Sequence, residues 1–429
     1  MPSHRFYLGL VTLCLLFAVR PAKADDGSGS GGSVQATATT NSSTSTSSSS
    51  TSTYSQPAPS GLAVDATDHK RPFTISATLR EEYDDNIFTA KTGRVGSAVT
   101  FITPSILFDL PMDDSDLSFR DTFSADYYSN RPGDQFDLTD QFIAQYNHNF
   151  SDRFSLDVAE QFQYYTQPSL FQSIGTNYYN GAYISNTVNL NFNAQWTPLI
   201  STSTTYANTI VDYQESNIAT QQNSMENTAS QNIGFAILPK ITLTFGGIID
   251  DINYKFINRG YTTYTGNTGI NWQALPSMSL SVSVGGSVID TQQAGTSATP
   301  YAAIAYNWKI GARSTLNFNY SHEVVPSDIY TAEGQIADRF STGFQYAITP
   351  RLSTHLDGIL THGNYTQSLL QSNQPDFTEN DYAIDLGFGY TLNSNVAFSI
   401  GYTYSGVSSG ENYRDYTRNQ VYIGVTGTY

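Results

Sequence analysis

The stretch NVAFSIGYTYS, residues 395–405, sets Val396, Phe398, Ile400, Tyr402 and Tyr404 on one phase. Ala397, Ser399, Gly401, Thr403 and Ser405 take the other. Side chains of an extended chain alternate between faces, so a period of two marks a strand with one apolar and one polar face. A helix would need apolar repeats at three and four residues, which this stretch lacks. Residues 277–288 repeat the scheme, with Met278, Leu280, Val282, Val284 and Val288 against Ser277, Ser279, Ser281, Ser283 and Ser287. Residues 182–196 oppose Ile184, Val188, Leu190, Phe192 and Trp196 to Ser185, Thr187, Asn189, Asn191, Asn193 and Gln195.

The same rhythm runs from Arg71 to the end of the chain: about ten alternating residues, a short turn, another alternating stretch, then a longer polar loop. Short turns fall at Pro111-Met112-Asp113, Ser151-Asp152-Arg153, Thr197-Pro198, Pro239-Lys240, Pro276-Ser277, Gly311-Ala312, Pro350-Arg351 and Asn393-Ser394-Asn395. These eight turns alternate with nine longer loops, 167–180 and 363–380 among them, and nine hairpins make eighteen strands. The expected fold is all-β: a transmembrane, antiparallel up-and-down β-barrel of the outer-membrane type, with 16–18 strands. Two segments fit less well. Residues 99–108 hold Pro104 and apolar residues in both phases, and residues 201–213 are almost entirely polar, so a bulge or 3₁₀ turn is an alternative there.

Composition decides which solvent lies outside. Charged residues make up only 13% of the 429, against 30 tyrosines and 24 phenylalanines. So many aromatics are incompatible with a disordered chain. The longest apolar run, residues 6–19, is too short for a spanning helix. A soluble propeller or solenoid would show Lys and Glu on its polar face. Here that face is Ser, Thr, Asn, Gln and Gly, and only four lysines follow Arg71. Aromatics gather toward strand ends, as in the girdles of membrane barrels. The chain ends with Val421, Ile423, Val425 and Tyr429 on one phase, which resembles the assembly signal of outer-membrane barrels, with Gly427 as a departure from it. Outer-membrane lipid, lipopolysaccharide and the barrel-assembly machinery are the partners this implies.

Residues 1–24 read as a signal peptide, with Arg5, the apolar run and the small-x-small site Ala22-Lys23-Ala24. Its removal would take away Cys14, the sole cysteine. Residues 25–71, rich in Ser, Thr and Gly, read as a disordered linker, leaving 72–429 for the barrel.

The formal charge is −17, which disfavours nucleic acid as a partner. After residue 71 there are 33 acids and 15 bases. By phase, Asp126, Asp157, Asp250, Asp381 and Asp385 point inward, with Arg80, Arg120, Arg339 and Arg418, and are the candidate pore lining. An excess of inward carboxylates predicts a lumen that prefers cations. Asp121, Asp140 and Glu160 instead fall on the apolar phase of three consecutive strands. They mark either an oligomer interface or a local bulge that flips the phase.

The first hairpin, Glu82-Tyr83-Asp84-Asp85-Asn86-Ile87-Phe88 after the strand of residues 73–80, resembles the opening of the putative beta-barrel porin 2 family. That resemblance implies an outer-membrane barrel whose relatives often accompany exopolysaccharide export, so polysaccharide-export components become candidate partners. Asp84, Asp85 and Asn86 could offer oxygens to Ca²⁺, but no EF-hand spacing surrounds them, and an Asx-turn explains them better. The histidines His148, His322, His355 and His362 sit in no nucleophile motif, His322 is outward by phase, and surface positions account for all four. No catalytic set, metal set or cofactor motif is expected. The sequence thus predicts passage of hydrophilic solutes or a saccharide through a polar lumen. The alternative is a non-conducting structural component of polysaccharide export.

Overall fold

The computed structural model describes residues 72–166, 181–292, 295–327, 332, 334–365, 376–411 and 413–429. The expected signal peptide, the linker and the loop 167–180 lie outside the described residues, as does 366–375 of the loop 363–380.

Among the described residues there are eighteen strands and one short helix. The strands are β1 (Phe73–Asp84), β2 (Ser97–Pro111), β3 (Ser115–Tyr128), β4 (Phe136–Ser151), β5 (Phe154–Tyr165), β6 (Tyr183–Thr197), β7 (Ile200–Tyr213), β8 (Ser224–Leu238) and β9 (Ile241–Tyr254). They continue as β10 (Gly260–Leu275), β11 (Met278–Thr291), β12 (Gly295–Ile310), β13 (Ser314–Pro326), β14 (Gly334–Ala347), β15 (Leu352–Tyr365), β16 (Phe377–Asn393), β17 (Val396–Ser409) and β18 (Tyr416–Thr428). Helix α1 (Ser216–Gln222) lies between β7 and β8. Every strand pairs antiparallel with its chain neighbours, and β1 also pairs with β18 from Ser76↔Thr428 to Asp84↔Gln420. That last pairing closes the sheet, so no strand edge is left with unpaired backbone groups. The barrel, its strand number and all eight short turns are as the alternation implies.

Outward phases are apolar and open to the surroundings. Leu79, Ile102, Val284, Ile400 and Ile423 are each more than half exposed. In water such a belt would be unfavourable over its whole area; in hydrocarbon it is matched. All three tryptophans, Trp196, Trp272 and Trp308, stand on the outward phase within a few residues of a short turn. Indole rings favour the membrane interface, so one rim of the belt is fixed there.

Inside, buried apolar residues form small separate clusters instead of one core. Each lies at the end that bears the longer loops. Ile87 of the first loop meets the inward Val99 and Tyr128. Ile218 of α1 meets the inward Tyr183 and Tyr213. Ile257 packs on Tyr254, Tyr261 and Ile289, and Ala332 on Tyr365. Four loops therefore fold into the mouth.

Register shifts occur only beside short turns, at Asn149/Ser151, Gln195/Thr197, Ala236/Leu238, Trp272/Leu275 and Thr391/Asn393. The bulges considered for 99–108 and 201–213 are absent, and both are continuous strands. Pro104 faces outward. It lacks an N–H, and the pairing of β2 with β3 resumes at Ser105↔Thr122 in the register held at Ile102↔Ala125.

A candidate functional site in the barrel interior

The nine charged residues selected by phase all stand on the inward side of the wall. Arg80, Arg418, Asp381 and Asp385 belong to β1, β18 and β16; Arg120 and Asp126 to β3; Asp157, Asp250 and Arg339 to β5, β9 and β14. Their surroundings divide the interior into two unlike arcs.

One arc, β15 to β18 and on to β1, holds a series of ion pairs. Arg80 pairs with Glu82 and lies 3.9 Å over the ring of Tyr422. Gln420 Nε2 donates to the other Glu82 oxygen at 2.7 Å. Arg418 Nε donates to Asp84 Oδ2 at 2.7 Å. His355 Nε2 and Asp385 Oδ1 are 2.7 Å apart, and Thr403 also donates to Asp385. Gly387 makes this possible, because a Cβ there would come 2.2 Å from His355 Cε1. At the mouth Arg414 donates twice to Glu379, at 2.6 and 2.9 Å.

His355 is thus an interior group and not a surface histidine, a correction to the sequence reading. His322, His148 and His362 are outward as their phases require; His322 meets Asp338 at 2.8 Å. His355, Asp357 and Asp385 bring ligand atoms within 4.8 Å of one another. Their charges are already balanced, since His355 and Asp385 hold each other and Arg80 stands close by.

In the other arc acids outnumber the bases near them, and Arg339 acts on Glu323 alone of the three that follow. Glu226 of β8, Asp250 of β9 and Glu323 of β13 line one cavity of about 60 Å³ together with hydroxyls of Thr205, Thr228, Ser230 and Tyr301. Thr228 donates to Asp250 at 2.9 Å, and Ser321 to Glu323 at 2.8 Å. Glu226 and Asp250 are in side-chain hydrogen-bond contact with each other. Of these three acids the sequence reading had selected only Asp250.

The first loop settles Asp84-Asp85-Asn86. Asn86 N donates to Asp84 Oδ1 at 2.8 Å, the Asx-turn expected. Asp85 accepts from Asn419 N and Nδ2, both at 2.7 Å, and Asp84 is taken by Arg418. Their carboxylates are spent on joining the first hairpin to β18. Nearby, the hydrogen bond from Lys91 and that from the Ser409 backbone hold the loop residue Asp415 below the usual carboxylate range.

Asp121, Asp140 and Glu160 lie on the outward phase in unbroken register, so the flipped-phase explanation is excluded. Asp121 and Asp140 hydrogen-bond to each other, and Glu160 accepts from Asn186 at 3.2 Å. Phe142 and Phe162 pair directly in the same phase, between Glu160 and the two aspartates, so the three acids form two spots. Val421, Ile423 and Val425 face outward as well, and the Tyr429 backbone pairs with Ile75.

Residues 290–429 match the model of the family described as putative beta-barrel porin 2. The family resemblance is borne out there. The match spans the end of β11 through β18 and so lies opposite, in chain order, to the hairpin that suggested it. None of the curated proteins matches by sequence. Among solved structures the chain is similar to the siderophore receptor PirA from Pseudomonas aeruginosa, at 11% identity and a TM-score of 0.42, covering 84% of this chain and 81% of that one. OccAB4 from Acinetobacter baumannii gives 10% and 0.45, covering 84% and 99%. The outer membrane protein opdK from Pseudomonas aeruginosa gives 11% and 0.45, covering 83% and 99%. The matched segment contains Glu323 and the part of the paired arc on β15 to β18; Arg80, Glu82, Asp84, Glu226 and Asp250 come from strands before it.

Proposed function

We propose that the protein is an outer-membrane channel for small hydrophilic solutes, with a preference for cations. One observation carries this reading: the closed barrel turns an apolar belt outward and gathers the carboxylates of Glu226, Asp250 and Glu323 around one interior cavity. Carboxylates lining a water-filled passage concentrate cations and repel anions. Inward Tyr, Ser, Thr and Asn also suit a saccharide, since ring faces stack on sugars while hydroxyls and amides exchange hydrogen bonds. The test is the reversal potential of the refolded protein in a planar bilayer under a KCl gradient. A potential of the sign set by K⁺ is expected; anion preference would refute the cation reading.

A second reading has its own support. The loops folded into the mouth suit a barrel that does not conduct and serves as a structural component of polysaccharide export. An insulating bilayer after verified insertion would leave only this reading.

A further inference from the structure

Glu226 and Asp250 stand on the neighbouring strands β8 and β9, whereas Glu323 stands on β13, roughly four strand spacings or about 19 Å further along the wall. All three line one cavity, together with residues of the strands between them. The contact between Glu226 and Asp250 is a further constraint. Two ionised carboxylates repel at hydrogen-bond distance, so either a proton or a cation lies between them. Among the described residues no arginine or lysine lines the cavity, and Arg339 acts on Glu323 from outside that lining.

A second, independent feature points into the same space. The Ser230 hydroxyl lines the cavity, is 5% exposed and has no hydrogen-bond partner. Buried hydroxyls are rarely left unsatisfied, and this one stands in the wall of an acidic cavity.

We infer that Glu226 and Asp250 hold a hydrated divalent cation of the Mg²⁺ type, its waters bonded to Glu323 and Ser230. Size and spacing select the hydrated ion. Among the described residues the group of three with ligand atoms all within 4.8 Å is His355, Asp357 and Asp385, so the trio in the cavity is too wide for a bare ion caged by protein alone. Mg²⁺ commonly binds through one or two carboxylates and keeps its remaining waters in an octahedron. A volume of about 60 Å³ is several times the roughly 10–15 Å³ that a single water needs. Two carboxylates neutralise the ion, and its waters donate to Glu323 and to the orphaned Ser230 hydroxyl oxygen.

The site deepens the proposed cation preference by naming an ion, and its test does not depend on conduction. Full-length refolded protein in detergent, stripped with EDTA and free of lipopolysaccharide, is titrated with MgCl₂ by calorimetry. Wild type is expected to take up one Mg²⁺ more than the Glu226→Gln/Asp250→Asn variant. Equal stoichiometry overturns the inference. So does a wild type that takes up no Mg²⁺ and instead releases a proton from this pair as the pH is raised. Where the double variant does not fold, Ser230→Val decides, because it replaces the unpartnered hydroxyl by methyl groups and leaves every carboxylate in place. At least tenfold weaker binding is expected from it, and unchanged affinity overturns the site. A barrel that binds Mg²⁺ yet insulates would refute the channel reading alone.

Discussion

Arg414 and Glu379 are the most deeply enclosed ion pair at the mouth, with side chains 2% and 1% exposed and the Tyr365 hydroxyl 3.3 Å from Glu379. Removing one partner of such a pair strands the other charge. Arg414→Ala is expected to destabilise the barrel by about 3–5 kcal/mol, read from the urea midpoint in detergent. Replacing both residues by Leu should cost much less, because no lone charge remains. Neither the pair nor the cavity was legible in the sequence, for related reasons. Glu379 and Arg414 meet from β16 and a loop that the sequence does not bring together. Glu226 sits four residues after α1, on a strand whose outward phase is interrupted by Asn227 and Gln231, so its inward direction is obscured. Glu323 follows a clear alternation of Leu316, Phe318 and Tyr320, and its phase could have been read. That it shares a cavity with Asp250 could not, since this depends on the cross-section of the closed barrel.

At the level of strands, alternation and turn residues are local signals, and they were sufficient for the strand count and for all eight short turns. They also put Asp121 and Asp140 outward, where the structure keeps them. An acid on the lipid face is unfavourable, though less than a lysine or arginine there. Their mutual hydrogen bond offsets part of that cost. Replacing both by Leu is therefore expected to raise stability in lipid vesicles by about 1 kcal/mol or more, measured as the shift in unfolding midpoint. An oligomer interface over this face predicts the opposite: lower stability together with a smaller particle on native sizing. The two outcomes separate lipid from protein as the neighbour of β3 and β4.

For the whole molecule, the question is whether the mouth or the interior limits passage. The loops enter from several sides, held by apolar contacts on inward tyrosines or valine and, in the first loop, by hydrogen bonds to β18 as well. Helix α1 is the simplest to release. Of its seven residues, Ile218 is the apolar one buried against Tyr183 and Tyr213, and α1 has no side-chain N-cap bond and no acidic residue in its first turn. A helix this short has little stability of its own and stays where its packing holds it. Exchanging Ser216–Gln222 for a Gly-Ser linker removes that packing but leaves all eighteen strands and the carboxylates of the interior untouched. A channel gated at its mouth should then show higher single-channel conductance with an unchanged reversal potential, because the charged wall that selects the ion is the same. Unchanged conductance would move the limiting constriction down to the level of Glu226, Asp250 and Glu323. In that case MgCl₂ should reduce the K⁺ current of the wild type, while the Glu226→Gln/Asp250→Asn channel should be less sensitive to it.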